Sequence, residues 1–256
     1  MPAPDEPLTP VGWHQRFEQQ AAWTSNLRRY LLQRASLPAN PRCLEVGSGT
    51  GALLNDLPLP SGALRVGLDL NRPFLRVSRQ NTLSTAHVQA DGYQLPFACA
   101  AFDLVCCHYL LLWLDEPQVA LREMRRVTRP GGWVMAFAEP DYGGRVDYPP
   151  PLDELGRLQT LALRAQGADP LTGRRLVSLF QQAGFTTIHS GILGGEWLHP
   201  SANPADPTEE QVLRQDLAPL LPARRMGELL TAARLAEQNH RRVLYLPTFY
   251  ALAQPT

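Results

Sequence analysis

Leu44-Glu-Val-Gly-Ser-Gly-Thr-Gly51, LEVGSGTG, is the stretch on which the fold of this chain turns. The apolar run RCLEV (42–46) reads as a strand that hands over to a glycine-rich turn, and a brief helix opens at about 52–57. Glycines there let the chain turn sharply and let a ligand approach the backbone, while the helix start offers free N–H groups. Alone, such a turn is a weak signal. The next strand, LRVGLDL (64–70), places Asp69 20 residues past Gly49, where a carboxylate can accept both hydroxyls of a ribose. A helix over 73–81 leads to a third strand, HVQAD (87–91), closed by Asp91. FDLVCCHYLLLWL (102–114) begins as a fourth strand, 117–127 is a helix, and the turn RPGG (129–132) introduces a fifth strand, WVMAFAEP (133–140). Apolar runs of this length between turn residues are typical of strands buried on both faces of a parallel sheet.

Outward from that alternation the pattern loosens. Before it, Trp13 to Ala35 has the spacing of one amphipathic helix, stopped by Pro38 and Pro41. After it, helices are expected over 152–166 and 174–183, the second ending at Gly184, and a sixth strand over 185–191. The stretch 192–240 mixes a Gly/Pro/Asn loop with helices over 209–220 and 224–239. VLYL and FYALA (243–253) make a last strand interrupted by Pro247, which should bend or lie nearer an edge there. The expected organisation is an N-terminal helical segment, 1–38, and one doubly wound α/β domain, 39–256, with 192–240 as an inserted helical cap.

The 24 basic residues are all arginine and balance 24 acidic ones, so the formal charge is zero. Without lysine, a phosphate-binding P-loop lysine, a Schiff-base lysine and a lysine general base are excluded. Zero net charge also argues against a protein that coats nucleic acid. Cys43, Cys99, Cys106 and Cys107 lack paired metal-ligand spacing and read as buried free thiols in a reducing compartment. The opening MPAPDEPLTP is unlike a signal peptide, and the run 104–114 falls short of the roughly 18 residues of a membrane span. A cytoplasmic protein is expected.

The glycine spacing, together with Glu45, separates two cofactor classes. A dinucleotide fold wants G-x-G-x-x-G beneath a pyrophosphate. Here Gly47, Gly49 and Gly51 give G-x-G-x-G, preceded by an acid that would repel a pyrophosphate. That acid suits a ligand with an ammonium group, such as S-adenosylmethionine, which also carries a ribose for Asp69 and an adenine amine for Asp91.

The chain resembles the class I S-adenosylmethionine-dependent methyltransferases, in the branch that includes the ubiquinone/menaquinone C-methyltransferases. The resemblance rests on a series: LEVGSGTG (44–51), GLDLN (67–71), QADGYQLPF (89–97), FDLVCCHYLLLWL (102–114), LREMRRVTRPGGWVMAFAEPD (121–141) and FYALA (249–253). It implies a Rossmann-like sheet of seven mostly parallel strands, ordered 3-2-1-4-5-7-6 with the seventh antiparallel. It further implies that Gly47, Gly49 and Gly51 line the methionine part of the donor, that Glu45 holds its amino group through water, and that Ser48 and Asn71 belong to the same cofactor site. Asp69 would serve the ribose, Leu70 the adenine face, Asp91 with the Gly92 backbone the adenine edge, and Cys107 and His108 backbone contacts beneath the sulfonium. No metal is implied.

Methyl transfer from a sulfonium is an in-line displacement to a small-molecule acceptor and needs a proton acceptor only if the nucleophile must lose a proton. His108, Asp141 and Tyr142 are the catalytic candidates; Tyr109, Glu139, Asp147 and Tyr148 stand near them, and EPDYGGRVDYP (139–149) reads equally well as a polar loop. Glu196, Trp197 and His199 could roof the pocket. The N-terminal helix could close over the donor through Arg16, Trp23, Thr24 or Tyr30, although helix-on-core packing accounts for Trp23 and Tyr30 without a ligand. Arg28-Arg29 reads as a solvated face. An arsenic methyltransferase would need further cysteines, and a catechol type an acid-and-amide magnesium set that is not evident. An NAD-dependent oxidoreductase and a non-catalytic donor-binding module remain as alternatives.

Overall fold

The computed structural model describes residues 8–81, 85–194 and 207–255. In chain order the strands of the main sheet are β1 (Arg42–Val46), β2 (Leu64–Asp69), β3 (Thr85–Gln89), β4 (Phe102–Cys107), β5 (Thr128–Pro140), β7 (Ile188–Leu193) and β9 (Thr248–Ala253). They lie in the order β3-β2-β1-β4-β5-β9-β7, with β9 antiparallel to both neighbours. Two three-residue strands, β6 (Val146–Tyr148) and β8 (Val243–Tyr245), pair outside this sheet. With those two set aside, the order is the expected 3-2-1-4-5-7-6.

Period-2 alternation along the strands sends successive side chains to opposite layers. Leu44, Val46, Val66, Leu68, Val105 and Val134 face one core, packed by α5 (Pro117–Val127) and α7 (Thr172–Gln182) through Leu121, Met124, Leu176 and Phe180. Cys43, Leu104, Cys106, Met135 and Phe137 face the other, packed by α2 (Ser25–Ala35) and α3 (Ala52–Asp56) through Leu31, Leu32, Leu53 and Leu54. Each fully buried leucine contributes about 1.5–3 kcal/mol, so the two-sided burial of β1 and β4 anchors the edge from which the site is built. A third cluster joins α6 (Leu152–Ala165), α8 (Pro207–Leu217) and α9 (Ala223–Gln238) through Leu155, Leu213, Leu217, Met226 and Leu229.

Several boundaries differ from those the sequence suggested. The single N-terminal helix is two, α1 (Pro10–Trp23) and α2, separated at Thr24. The helix expected at 73–81 is α4 (Arg72–Asn81). RPGG is a bulge inside β5: Phe102 pairs with Thr128, but Leu104 already pairs with Trp133. Pro247 splits the last strand completely. Its first half, β8, joins β6, and β9 runs between β5 and β7 instead of along an edge.

Candidate functional site

The carboxyl ends of β1, β2, β3 and β4 converge on the glycine turn. Gly47 N and Ser48 N both donate to Leu68 O, at 2.8 and 2.9 Å, which ties the turn to the end of β2. Gly47, Gly49 and Gly51 adopt φ of 72°, 52° and 79°, the left-handed region that glycine enters without a Cβ penalty. Space demands glycine as well: a Cβ on Gly47 would fall 2.7 Å from Leu110 Cδ1, and one on Gly49 3.0 Å from Phe17 Cε2.

Glu45 and Ser48 are buried here, and Glu45 Oε2 and Ser48 Oγ have no hydrogen-bond partner. Burial pushes the Glu45 carboxyl well above the usual range, Cys43 and Asp69 push the same way, and Arg28 and the Leu54 N–H oppose them. Asp69 is fixed on both oxygens, Oδ2 accepting from Gly49 N and Oδ1 from Asn71 N, each at 2.7 Å. Burial raises its pKa against these bonds. Beside it Leu70 is 67% exposed, a large apolar side chain left uncovered at the turn. Asp91 lies exposed past the end of β3, and its Oδ1 accepts from Tyr93 N at 2.9 Å, the Asx-turn geometry open to an Asp-Gly pair. Gly92 stands against Val46, where a Cβ would approach Cγ1 to 3.3 Å.

The helix α1 covers this turn. Phe17 packs edge-on against Phe74 at 5.5 Å and leans on Gly49; His14 Nδ1 and Thr50 Oγ1 are 2.8 Å apart. These two contacts were not singled out in the sequence, because they depend on where α1 docks. Arg28 corrects the sequence reading outright. It is fully buried, donating to Ala21 O at 2.6 Å, to Thr24 Oγ1 and to Asp56 Oδ2. Trp23 and Tyr30 are not core residues: they are 54% and 48% exposed, Trp23 stacked under Arg16 and Tyr30 accepting from Arg34 Nη1 at 2.7 Å.

At the end of β4, Cys107 is buried, so it offers the site its backbone alone. His108 Nε2 lies 3.0 Å from Thr24 Oγ1, and burial, aided by Arg28, holds its imidazole down at about 3. Tyr109 has φ 51°, an outlier for a bulky residue, and burial pushes its phenol above the ordinary tyrosine range. Glu139 is buried beneath, accepting from the N–H groups of Leu110, Leu111 and Leu112 at 3.1, 2.9 and 3.2 Å; burial pushes it up to about 8. It therefore props the turn after β4.

The other candidates of 139–149 are committed elsewhere. Asp141 pairs bidentately with Arg174, at 2.5 and 2.8 Å, and accepts from Gly143 N. Both of its oxygens are thus held by a permanent cation. Asp147 is likewise bound by Arg145, at 2.7 and 3.0 Å, and Tyr148 is exposed. Tyr142 packs with Tyr109, Leu112 and Leu163, and burial raises its pKa. A cavity of about 310 Å³ opens between this segment and α6, lined by Tyr142, Arg145, Asp147, Arg157 and Arg164 and by no glycine-turn residue. Glu196, Trp197 and His199 lie outside the described residues.

The sheet order and the glycine turn define a Rossmann-like methyltransferase fold. Residues 44–136 match the family described as "Methyltransferase domain". It is similar to a demethylmenaquinone methyltransferase of Corynebacterium urealyticum, 37% identical over 48% of this chain and 50% of that protein. A malonyl-[acyl-carrier protein] O-methyltransferase of Erwinia pyrifoliae is 34% identical over 46% of this chain and 45% of its own length. The chain thus spans about half the length of these curated relatives. Among solved structures, a SAM-dependent methyltransferase of Thermotoga maritima shares the fold at TM-score 0.58 and 15% identity, with 96% of each chain covered.

Proposed function

We propose that the protein transfers a methyl group from S-adenosylmethionine to a small-molecule acceptor. The observation that carries this reading is Glu45 Oε2, a buried carboxylate oxygen without a partner at the mouth of a glycine cradle. An unpaired buried acid is costly unless a cation completes it, and an ammonium group does so where a pyrophosphate would be repelled. The cradle, Asp69 and the uncovered Leu70 fit the remaining parts of the donor.

In this reading Glu45 holds the amino group, and Gly47, Ser48, Gly49 and Gly51 leave room for the methionine part. Asp69, oriented by Gly49 N and Asn71 N, takes the ribose hydroxyls on its remaining lone pairs. Leu70 packs on adenine, Asp91 and Gly92 meet its edge, and Cys107 and His108 contribute backbone. Once bound, the donor supplies an electrophilic methyl carbon on sulfur. The chain's own part is alignment and exclusion of water, which can supply a large share of the rate. His108, kept neutral at about 3, is a poor base, and the phenols of the partly buried Tyr109 and Tyr142 are hydrogen-bond donors at neutral pH. Asp141 acts structurally. An acceptor that arrives as its own anion, or as a neutral nucleophile that loses its proton to water, suits such a site.

Balanced charge favours a small molecule over nucleic acid. Four cysteines without a disulfide favour a reducing, cytoplasmic setting, and no helix among the described residues is long and apolar enough to cross a membrane. Thermal melting is the first test. S-Adenosylhomocysteine at 100 times its Kd should stabilise the protein by about 2.7 kcal/mol, a rise of several degrees. A rise with nicotinamide cofactors and none with S-adenosylhomocysteine would overturn the reading.

A further inference from the structure

Arg28 is one of the largest fully buried side chains in the molecule, and its Nη1 and Nη2 bonds all tie pieces of the donor site together. Nη1 donates to Ala21 O, at the end of α1, and to Thr24 Oγ1 at the α1–α2 break. Nη2 donates to Asp56, the last residue of the helix that follows the glycine turn. Thr24 Oγ1 in turn contacts His108 Nε2 at 3.0 Å. The fork thus bridges α1, α2, α3 and the end of β4. Its Nε is buried and makes no hydrogen bond, as is true of Glu45 Oε2. A half-exposed Asp56 compensates the guanidinium only in part, so its field reaches the nearby Glu45.

We propose that Arg28 is a positioning residue of the donor site: a buried cation that opposes protonation of Glu45 and fastens α1 over the glycine turn. The inference rests on the reading of Glu45 as the ammonium acceptor. Around Glu45 stand Cys43 on β1, Asp69 on β2, Cys106 and Cys107 on β4 and Arg28 on α2. Of these only Arg28 is a cation; the others, when charged, favour the protonated acid. Donor binding needs the carboxylate, so affinity falls as pH drops through the Glu45 titration. Removing Arg28 raises that titration and moves the fall to higher pH.

Calorimetry of the full chain with S-adenosylhomocysteine between pH 6.5 and 8.5 tests this, using wild type, Arg28→Met, Arg28→Lys and Glu45→Gln. Arg28→Met should steepen the loss of affinity towards pH 6.5 relative to wild type, because the only cation beside Glu45 is gone. Arg28→Lys, which retains the charge, should restore the wild-type profile even if its melting temperature is lower. If the Met variant does not fold, Arg28→Gln takes its place with the same expectation. A folded Met or Gln variant with the wild-type pH profile would overturn the counter-charge role. Glu45→Gln separates the two failures: it should weaken binding and flatten the profile, and wild-type binding by that variant would instead sink the donor-site reading.

Discussion

Glu45, Asp69 and Asp141 are three acids at strand ends, and their surroundings give them three roles. Glu45 keeps an unpartnered oxygen in a buried cradle, Asp69 is oriented by two N–H donors, and Asp141 is neutralised by Arg174. The sequence shows all three as acids after apolar runs, and only the partner 33 residues away distinguishes the last. Arg174→Ala should cost about 1–3 kcal/mol in urea unfolding, since a buried carboxylate loses its partner while the half-exposed arginine limits the effect. The Kd for S-adenosylhomocysteine should not change; a large change would return Asp141 to the site. His108 gives a pH signature. Its folded pKa, about 3, lies below the ordinary value of 6.5, so below 6.5 the unfolded chain takes up a proton that the native chain refuses. Stability from this group is therefore lost as pH falls, by up to about 1.4 kcal/mol per pH unit. His108→Gln should lose less stability than wild type between pH 7 and 5, and equal losses would contradict the neutral, partly buried imidazole.

Among the elements, legibility followed the range of the interactions. The glycine turn and the strands with strong apolar runs were readable because their signals are local: β1 was placed to the residue and β2 to within one. The α1–α2 break was not, because it sits where the Thr24 hydroxyl meets His108, 84 residues away, and where Arg28, four residues on, reaches Asp56. The small sheet of β6 and β8 was missed for a related reason: three residues carry no usable period, and the pairing spans nearly 100 residues of chain. Arg28 reads as solvated in the sequence because charge predicts exposure on average, and the docking of α2 against α3 and β4 buries it. Closure of α1 over the glycine turn rests on Phe17. Phe17→Ala should raise the Kd for S-adenosylhomocysteine about tenfold, near 1.4 kcal/mol, with an unchanged far-UV circular dichroism spectrum. An unaltered Kd would show that α1 does not contribute to the site.

Over the whole molecule, two cores on opposite faces of one sheet account for what is reactive and what is not. Cys43, Cys106 and Cys107 are buried between β1, β4 and the covering helices; a hydrogen bond with Cys43, then burial, pushes the Cys106 thiol well up, and burial does the same to Cys107. Cys99 is exposed, against the expectation that all four thiols are buried: it lies in the turn between β3 and β4, where Arg126 of α5 reaches its Sγ, at 3.8 Å. A thiol reagent should therefore label one cysteine rapidly in the native protein and the remaining three only on unfolding; fast labelling of two or more would contradict the packing. The absence of lysine fits the same picture, since the proposed ligand brings a cation and no phosphate to the glycine turn.

Calorimetric titration of the intact protein with S-adenosylhomocysteine, repeated with Asp69→Ala, tests donor recognition most directly. Saturable one-to-one binding, weakened at least about tenfold by the substitution, about 1.4 kcal/mol, is the predicted result. No binding by the intact protein, or binding untouched by the loss of Asp69, would contradict it.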